Sequence, residues 1–214
     1  MTIDSVDCAM GLDPRRDRMA GRGHHCDLHG RIFSPEWGRI TGGPPFDAGW
    51  GTCALVNVLR VDVGDVVDDF SLPDANGDIV SLYGMLQRGP VVLFFYPGAM
   101  TSGCTKESCH FRDLGHEFAT FGATPLGVSM DTVDKQREFA ETYTFGFPLL
   151  SDEKGAVADQ FGVRRRWMTF LPVRRGTFVI AQDHKVLGVV MNEMRMDVHA
   201  DRALEILRTS LTSV

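Results

Sequence analysis

The chain has 214 residues, with 22 basic and 28 acidic side chains, a formal charge of −6, and 43% hydrophobic, 23% charged and 9% aromatic residues. That composition belongs to a folded globular protein of one or at most two domains and excludes a largely disordered chain. The acidic balance, without a dense Lys/Arg block, argues against a nucleic-acid partner. The longest strongly apolar run, Val91 to Tyr96, is far short of the roughly 20 residues that span a bilayer, so no membrane association is expected.

Residues 1 to about 57 are rich in Gly, Arg and Pro, contain no Lys and sustain no helical or alternating apolar pattern. This stretch reads as an unstructured extension, or as the product of a start assigned upstream of a natural one near Val58 or Val61. It has no basic region leading into an apolar one, so no secretory signal is supported and a cytoplasmic location is expected. Cys26 stands near His24, His25 and His29, and Cys8 or Cys53 would complete a soft ligand set. The paired spacing of a structural zinc site is missing, so no metal is assigned.

From Val58 to the end the pattern is regular. Asp69 to Pro73 and Asp78 to Leu82 flank Asp74-Ala75-Asn76-Gly77, whose Asn-Gly predicts a hairpin turn. Val91 to Tyr96 is a β-favouring run of the kind buried on both faces. Ser102 to Phe121 reads as one helix, with Phe111, Leu114 and Phe118 at three- and four-residue spacing. Thr124 to Met130 is a strand, Thr132 to Tyr143 a helix capped by Asp131 or Thr132, and Lys154 to Phe161 a shorter helix. Thr177 to Ala181 and Lys185 to Val190 form a second hairpin, and Val198 to Leu211 an amphipathic final helix. Strands interleaved with helices predict an α/β fold with a central mixed sheet flanked by helices.

Five cysteines in a chain without an export signal leave at least one thiol unpaired, so the cysteines are where chemistry is sought. Cys104 follows a buried strand and a Pro97-Gly98 break and falls in the first turn of a helix. The positive end of the helix dipole and the unpaired N–H groups there favour a thiolate over a thiol. Thr101, three residues earlier, can place its hydroxyl by the sulfur or an oxygen bound to it, and Gly103 allows close backbone approach. Such a site suits a small oxygen-rich substrate beside a nucleophilic sulfur.

The sequence P-x-x-x-T-x-x-C, read as Pro97, Thr101 and Cys104, resembles the peroxidatic motif of the peroxiredoxins. Cys109, five residues on, is similar to the second cysteine of the bacterioferritin comigratory protein or peroxiredoxin Q subfamily. The likeness runs from residue 61 to about 211, through Gly64-Asp65, Asp69-Phe70-Ser71-Leu72-Pro73-Asp74, Phe147-Pro148-Leu149-Leu150-Ser151-Asp152 and Arg175-Gly176-Thr177-Phe178. It implies a thioredoxin fold over 58–214 that reduces hydrogen peroxide or organic hydroperoxides, is recycled by thioredoxin through an intramolecular disulfide, and uses neither metal nor cofactor. Carried over, Cys104 is the peroxidatic cysteine and Cys109 the resolving one. Thr101 hydrogen-bonds the peroxide, Pro97 shields the sulfur, and Arg175 stabilises the thiolate and leaving oxygen. Arg174 competes for that last role, but alternate side chains of a strand face opposite ways and the R-x-T-F spacing favours Arg175. Glu107 is assigned support through an ion pair or backbone contact. A resolving cysteine in the same chain removes the need for a partner subunit, so a monomer is expected.

Resolution by Cys109 carries a geometric cost. Five helical residues turn by about 500° and rise about 7.5 Å, whereas a disulfide needs Cα atoms within roughly 4.4 to 6.8 Å. The helix therefore has to unwind between the two cysteines on oxidation.

Three features depart from the subfamily pattern. Ser102 replaces a usual Pro and is a fair N-cap, and Asp68 replaces the Pro before Asp-Phe. Arg164-Arg165-Arg166-Trp167-Met168-Thr169-Phe170-Leu171-Pro172 is basic and then apolar: its apolar half either lines a hydroperoxide pocket or subunit contact, or tucks onto the fold. His110, His116, His184 and His199 are read as solvated or capping residues without a catalytic part. Two other functions stay open, a thiol-disulfide oxidoreductase, which normally shows C-x-x-C rather than C-x4-C, and a non-enzymatic peroxide sensor.

Overall fold

In the computed structural model, residues 60–168 and 170–211 are described. Expectations for residues 1–57, including the cysteine and histidine cluster around Cys26, lie outside them. Among the described residues, no helix is long and apolar enough to cross a membrane.

The first hairpin pairs β1 (Ser71–Pro73) with β2 (Ile79–Ser81) antiparallel. Its turn closes as the sequence predicts: Asp74 Oδ1 accepts from the amides of Asn76 and Asp78 at 2.8 and 3.0 Å. Gly77 occupies φ +91°, a left-handed conformation in which a side chain is strained. The second piece does not reach Leu82 as a strand. Ser81 accepts from Gly84 N through its hydroxyl and caps α1 (Leu82–Leu86), a short helix that propensity alone does not distinguish from a strand end.

The main sheet contains β3 (Val91–Phe95), β4 (Thr124–Ser129), β5 (Leu149–Ser151), β6 (Gly176–Ile180) and β7 (Val186–Met191) in the order β5-β4-β3-β6-β7. β4 is parallel to β3 and β5, while β6 is antiparallel to β3 and β7, so the sheet is mixed. All five residues of β3 are buried, and their alternation divides the core. Val91, Leu93 and Phe95 face Phe70, Leu82, Leu86, Val157, Phe161 and Phe178. Val92 and Phe94, with Tyr96 after them, face Phe111, Phe118, Phe139, Ala203, Leu204 and Leu207. A strand covered on both faces has no polar side to alternate with, which is why it reads as an unbroken apolar run.

The helix expected over Ser102 to Phe121 is two helices, α2 (Ser102–Asp113) and α3 (Gly115–Thr120), separated at Leu114 with ψ 11°. Phe111 and Phe118 keep their shared apolar face across the break, with ring centroids 5.7 Å apart, so apolar spacing alone does not register it. α4 (Val133–Tyr143) is capped by Thr132, whose hydroxyl accepts from Lys135 N. α5 (Ala156–Gln160) and α6 (Asp197–Leu211) complete the order. α6 packs against β6, β7 and α2, which brings the chain's last helix to the face that carries Cys104.

Candidate active site

β3 delivers the chain to a loop, Pro97 to Thr101, whose shape is fixed from the end of β4. Asp131 Oδ2 accepts from Ala99 N at 2.6 Å and from Ser129 Oγ at 2.8 Å, while Lys135 Nζ donates to Oδ1 at 2.5 Å. Met100 sits at φ 64°, a left-handed position uncommon for a residue with a side chain. Thr101 is the N-cap of α2 in backbone conformation, but its hydroxyl donates to Gly98 O at 2.9 Å and does not cap the helix. Ser102 is thus the first helical residue and not the cap. The first-turn amides are directed at the segment that holds Cys104.

Cys104 is buried, 1% exposed, and packs in the core layer with Ala99, Tyr96 and Phe111. Tyr96 donates its hydroxyl to Gln136 Oε1 at 2.5 Å, and burial keeps it a neutral phenol by pushing its pKa well up. Cys109 lies on the same helix and is also buried; both are thiols, not joined in a disulfide.

Arg175 reaches the sulfur from the start of β6. Its Nη2 donates to Cys104 Sγ at 3.5 Å, and its Nη1 donates to Glu107 Oε2. Arg175 is 4% exposed, whereas Arg174 points outward to solvent, as strand alternation requires. Gly103 leaves room for the approach: a Cβ there would lie 3.4 Å from Arg175 Nη2 and 2.9 Å from the flexible end of Met196. Glu107 is fully buried. Burial pushes its carboxyl up to about 8, with Arg175 working in the opposite direction. Its Oε1 has no hydrogen-bond partner.

Of the sequence-predicted set, the structure brings together Cys104, Arg175, Glu107 and Gly103. Pro97 stands half-buried at the loop's start and Thr101 exposed at its end. Cys109 remains on the intact helix.

Other expectations are corrected. His199 is neither solvated nor a cap: it is fully buried, with Nδ1 2.9 Å from Thr177 Oγ1 and Nε2 2.8 Å from Asn192 O. His184 stacks on Tyr83 with centroids 3.7 Å apart. Asp131, expected only as a candidate helix cap, and Glu193, for which the sequence offers no role, also serve the site. Glu193 Oε2 accepts from Arg175 N at 3.5 Å, and its Oε1 accepts from Arg165 at 2.5 Å. Neither stands in a motif, and the contacts that reach the site, Asp131 to Ala99 and Glu193 to Arg175, span 32 and 18 residues, which periodicity does not reveal.

The 164–172 segment is pinned by charge rather than by its apolar half. Arg164 and Arg166 both bridge to Asp159, and Arg165 bridges to Glu193. Trp167 is 96% and Phe170 75% exposed, so neither is tucked onto the fold.

The AhpC/TSA family model matches residues 63–189. A putative peroxiredoxin of Mycobacterium tuberculosis is 57% identical over 146 residues, covering 68% of this chain and 95% of its own length. A chloroplastic peroxiredoxin Q of Oryza sativa is 36% identical over 150 residues, covering 70% and 68%. The crystal structure of peroxidoxin BcpB from Mycobacterium tuberculosis superposes with a TM-score of 0.67 at 55% identity, covering 70% of this chain and 98% of that one. The mixed sheet with its flanking helices is therefore the thioredoxin fold in its peroxiredoxin form. With the family model covering more than half of the chain and a relative 57% identical across 95% of its own length, the chain belongs to the AhpC/TSA family of thiol-dependent peroxidases, in its peroxiredoxin Q and bacterioferritin comigratory protein branch.

Proposed function

We propose that this peroxidase reduces hydrogen peroxide and organic hydroperoxides with Cys104 as the attacking thiol, Cys109 as the resolving thiol and thioredoxin as the reductant. The observation that carries the reading is the contact of Arg175 Nη2 with Cys104 Sγ at 3.5 Å inside a buried site. A fixed cation at that distance faces both the attacking sulfur and the oxygen on which charge develops.

The first step transfers one oxygen. The thiolate attacks the nearer peroxide oxygen, the S–O bond forms as the O–O bond breaks, and the departing oxygen takes a proton to leave as water or an alcohol. Cys104 becomes a sulfenic acid. Thr101 has committed its hydroxyl proton to Gly98 O, which leaves its oxygen free to accept from the peroxide O–H. Pro97 shields the sulfur from bulk water on the loop side. Met100 and Met196, at the loop and beside Gly103, offer an apolar rim compatible with an alkyl substituent.

In the second step, Cys109 attacks the sulfenic sulfur and expels water, giving an intramolecular disulfide. Thioredoxin then reduces that disulfide and restores both thiols. Because both cysteines belong to one chain, the cycle needs no second subunit, and the protein acts as a monomer.

The test is NADPH-coupled peroxide consumption with thioredoxin and its reductase. Sustained turnover is expected for the unsubstituted protein, none for Cys104→Ser, and one stalled turnover for Cys109→Ser. Stoichiometric oxidation of Cys104 without turnover in the unsubstituted protein would replace this reading with that of a peroxide sensor or a different reductant.

A further inference from the structure

The buried site holds more negative than positive charge once Cys104 ionises. Arg175 is one cation set between two potential anions, the sulfur at 3.5 Å and Glu107 on its other terminal nitrogen. A net charge buried at this depth is costly unless a further group compensates it. The second oxygen of Glu107 shows where compensation enters. Oε1 is buried without a hydrogen-bond partner, and His199 Nδ1, also fully buried, lies 3.7 Å from it.

The tautomer of His199 follows from its other contacts. Nε2 faces Asn192 O at 2.8 Å, and a carbonyl oxygen only accepts, so Nε2 carries a proton. In the neutral ring Nδ1 is then a base, and Thr177 Oγ1 at 2.9 Å donates to it. The orphaned carboxyl oxygen lies 3.7 Å from the same nitrogen, so the two meet in a hydrogen bond only when the Thr177 hydroxyl turns away and they close by roughly 1 Å.

We infer that Glu107 and His199 hold one proton between them while Cys104 is a thiolate, so that Arg175 serves the sulfur as its only uncompensated anion. The charges then balance: the thiolate contributes −1, Arg175 contributes +1, and the pair contributes zero whether the proton rests on Oε1 or on Nδ1. When it rests on Nδ1, the Thr177 hydroxyl rotates from donor to acceptor. His199 touches neither sulfur nor substrate and is a positioning residue acting through Glu107. The inference deepens the assignment of Cys104 as the attacking thiol and rests on it.

Burial supports the same placement of protons, since it raises the carboxyl of Glu107 to about 8 and pushes the imidazole of His199 below its ordinary value. The charged groups facing the pair come from three sides. Arg175 lies on the β6 side, Cys104 lies on α2, and Glu193 and Asp197 lie at the approach to α6. Arg175 opposes a proton on His199, while Glu193 and Asp197 favour one.

The experiment is the pH profile of Cys104 alkylation by iodoacetamide in the full-length chain, with Cys104 resolved from the other cysteines by peptide mass spectrometry. His199→Asn preserves an amide near the Nδ1 position but cannot take a proton. It is expected to raise the midpoint of the profile by about one pH unit, a roughly ten-fold loss of rate below the midpoint. Glu107→Gln removes the charge that the proton compensates, and in that background His199→Asn is expected to change the rate less than about two-fold. An unshifted midpoint in His199→Asn, or an equal shift with and without Glu107→Gln, overturns the inference, since a merely structural histidine gives the latter.

Should His199→Asn not fold, histidine-nitrogen NMR of the unsubstituted protein decides. Neutral carbamidomethylation of Cys104 is expected to move the pair's titration to lower pH by reciprocity, and an unmoved titration overturns the proposal. Both readouts use neither peroxide nor thioredoxin, so a failure of turnover leaves them interpretable.

Discussion

Arg175 divides its two terminal nitrogens between a sulfur and a carboxylate, and this division gives the residue a measurable share of the reaction. Its Nη2 lies 3.5 Å from Cys104 Sγ, and losing one such donor aimed at developing charge costs about two to three orders of magnitude in rate. Arg175→Met keeps most of the volume and is expected to slow oxidation of Cys104 by hydrogen peroxide about 100- to 1,000-fold in stopped flow. Arg175→Lys is expected to restore only part of that rate, because a point charge cannot meet Glu107 and Cys104 with separate nitrogens. A rate within three-fold of the parent in Arg175→Met would remove Arg175 from the mechanism. Much at this scale is legible in the sequence: the thiol and its helix N-terminus follow from the pattern, strand alternation says that one of Arg174 and Arg175 reaches the sulfur, and the R-x-T-F resemblance picks Arg175. His199 is not legible. Its burial depends on α6 meeting β6 and α2, and a histidine at a helix start looks the same when it is solvated.

The proposed Cys104–Cys109 disulfide requires α2 to open. The helix's buried face carries Phe111, stacked on Phe94 with centroids 4.2 Å apart, but also the Thr105 and Ser108 hydroxyls, buried without hydrogen-bond partners. Each orphaned hydroxyl costs about 1–3 kcal/mol in the helical state, which lowers the cost of the unwinding that a Cys104–Cys109 disulfide demands. Amide exchange across Ser102 to Phe111 is therefore expected to be slow in the reduced protein and fast in the oxidised one; equal protection in both states would refute the opening. Ser108→Ala removes an orphan and is expected to stabilise the reduced protein by about 1 kcal/mol and to slow disulfide formation roughly five-fold, if opening precedes attack. Faster disulfide formation in Ser108→Ala would contradict that order. Besides the short α1, the division of α2 from α3 at Leu114 and the three-residue β5 escape pattern reading. Apolar spacing continues through the division, and β5 is too short to show a period.

Among the described residues, Glu107, Arg175 and His199 are buried together, and this bears on how stability responds to pH. Strand β3, read directly from the sequence as buried on both faces, separates the two cores, while the loop after it and the start of β6 carry the site between α2 and α6. Burial pushes the carboxyl of Glu107 up from its ordinary 4.5 to about 8. Between those values the folded chain binds a proton that the unfolded chain has released, so stability falls as pH rises through this window. His199 acts oppositely: burial lowers its pKa below 6.5, the unfolded chain takes up the proton first, and stability is lost as pH falls below about 6.5. The two slopes oppose each other below about 6.5, and between about 6.5 and 8 only the Glu107 slope remains. The thermal midpoint is accordingly expected to drop from pH 6.5 to pH 8 and to level off above it. Glu107→Gln, which keeps an acceptor for Arg175 but cannot ionise, is expected to flatten that drop whatever its absolute stability. A midpoint that rises between pH 6.5 and 8 in the reduced parent protein, or a drop of the same size in Glu107→Gln, would mean that the carboxyl is ionised throughout and that Arg175 is shared between two full anions.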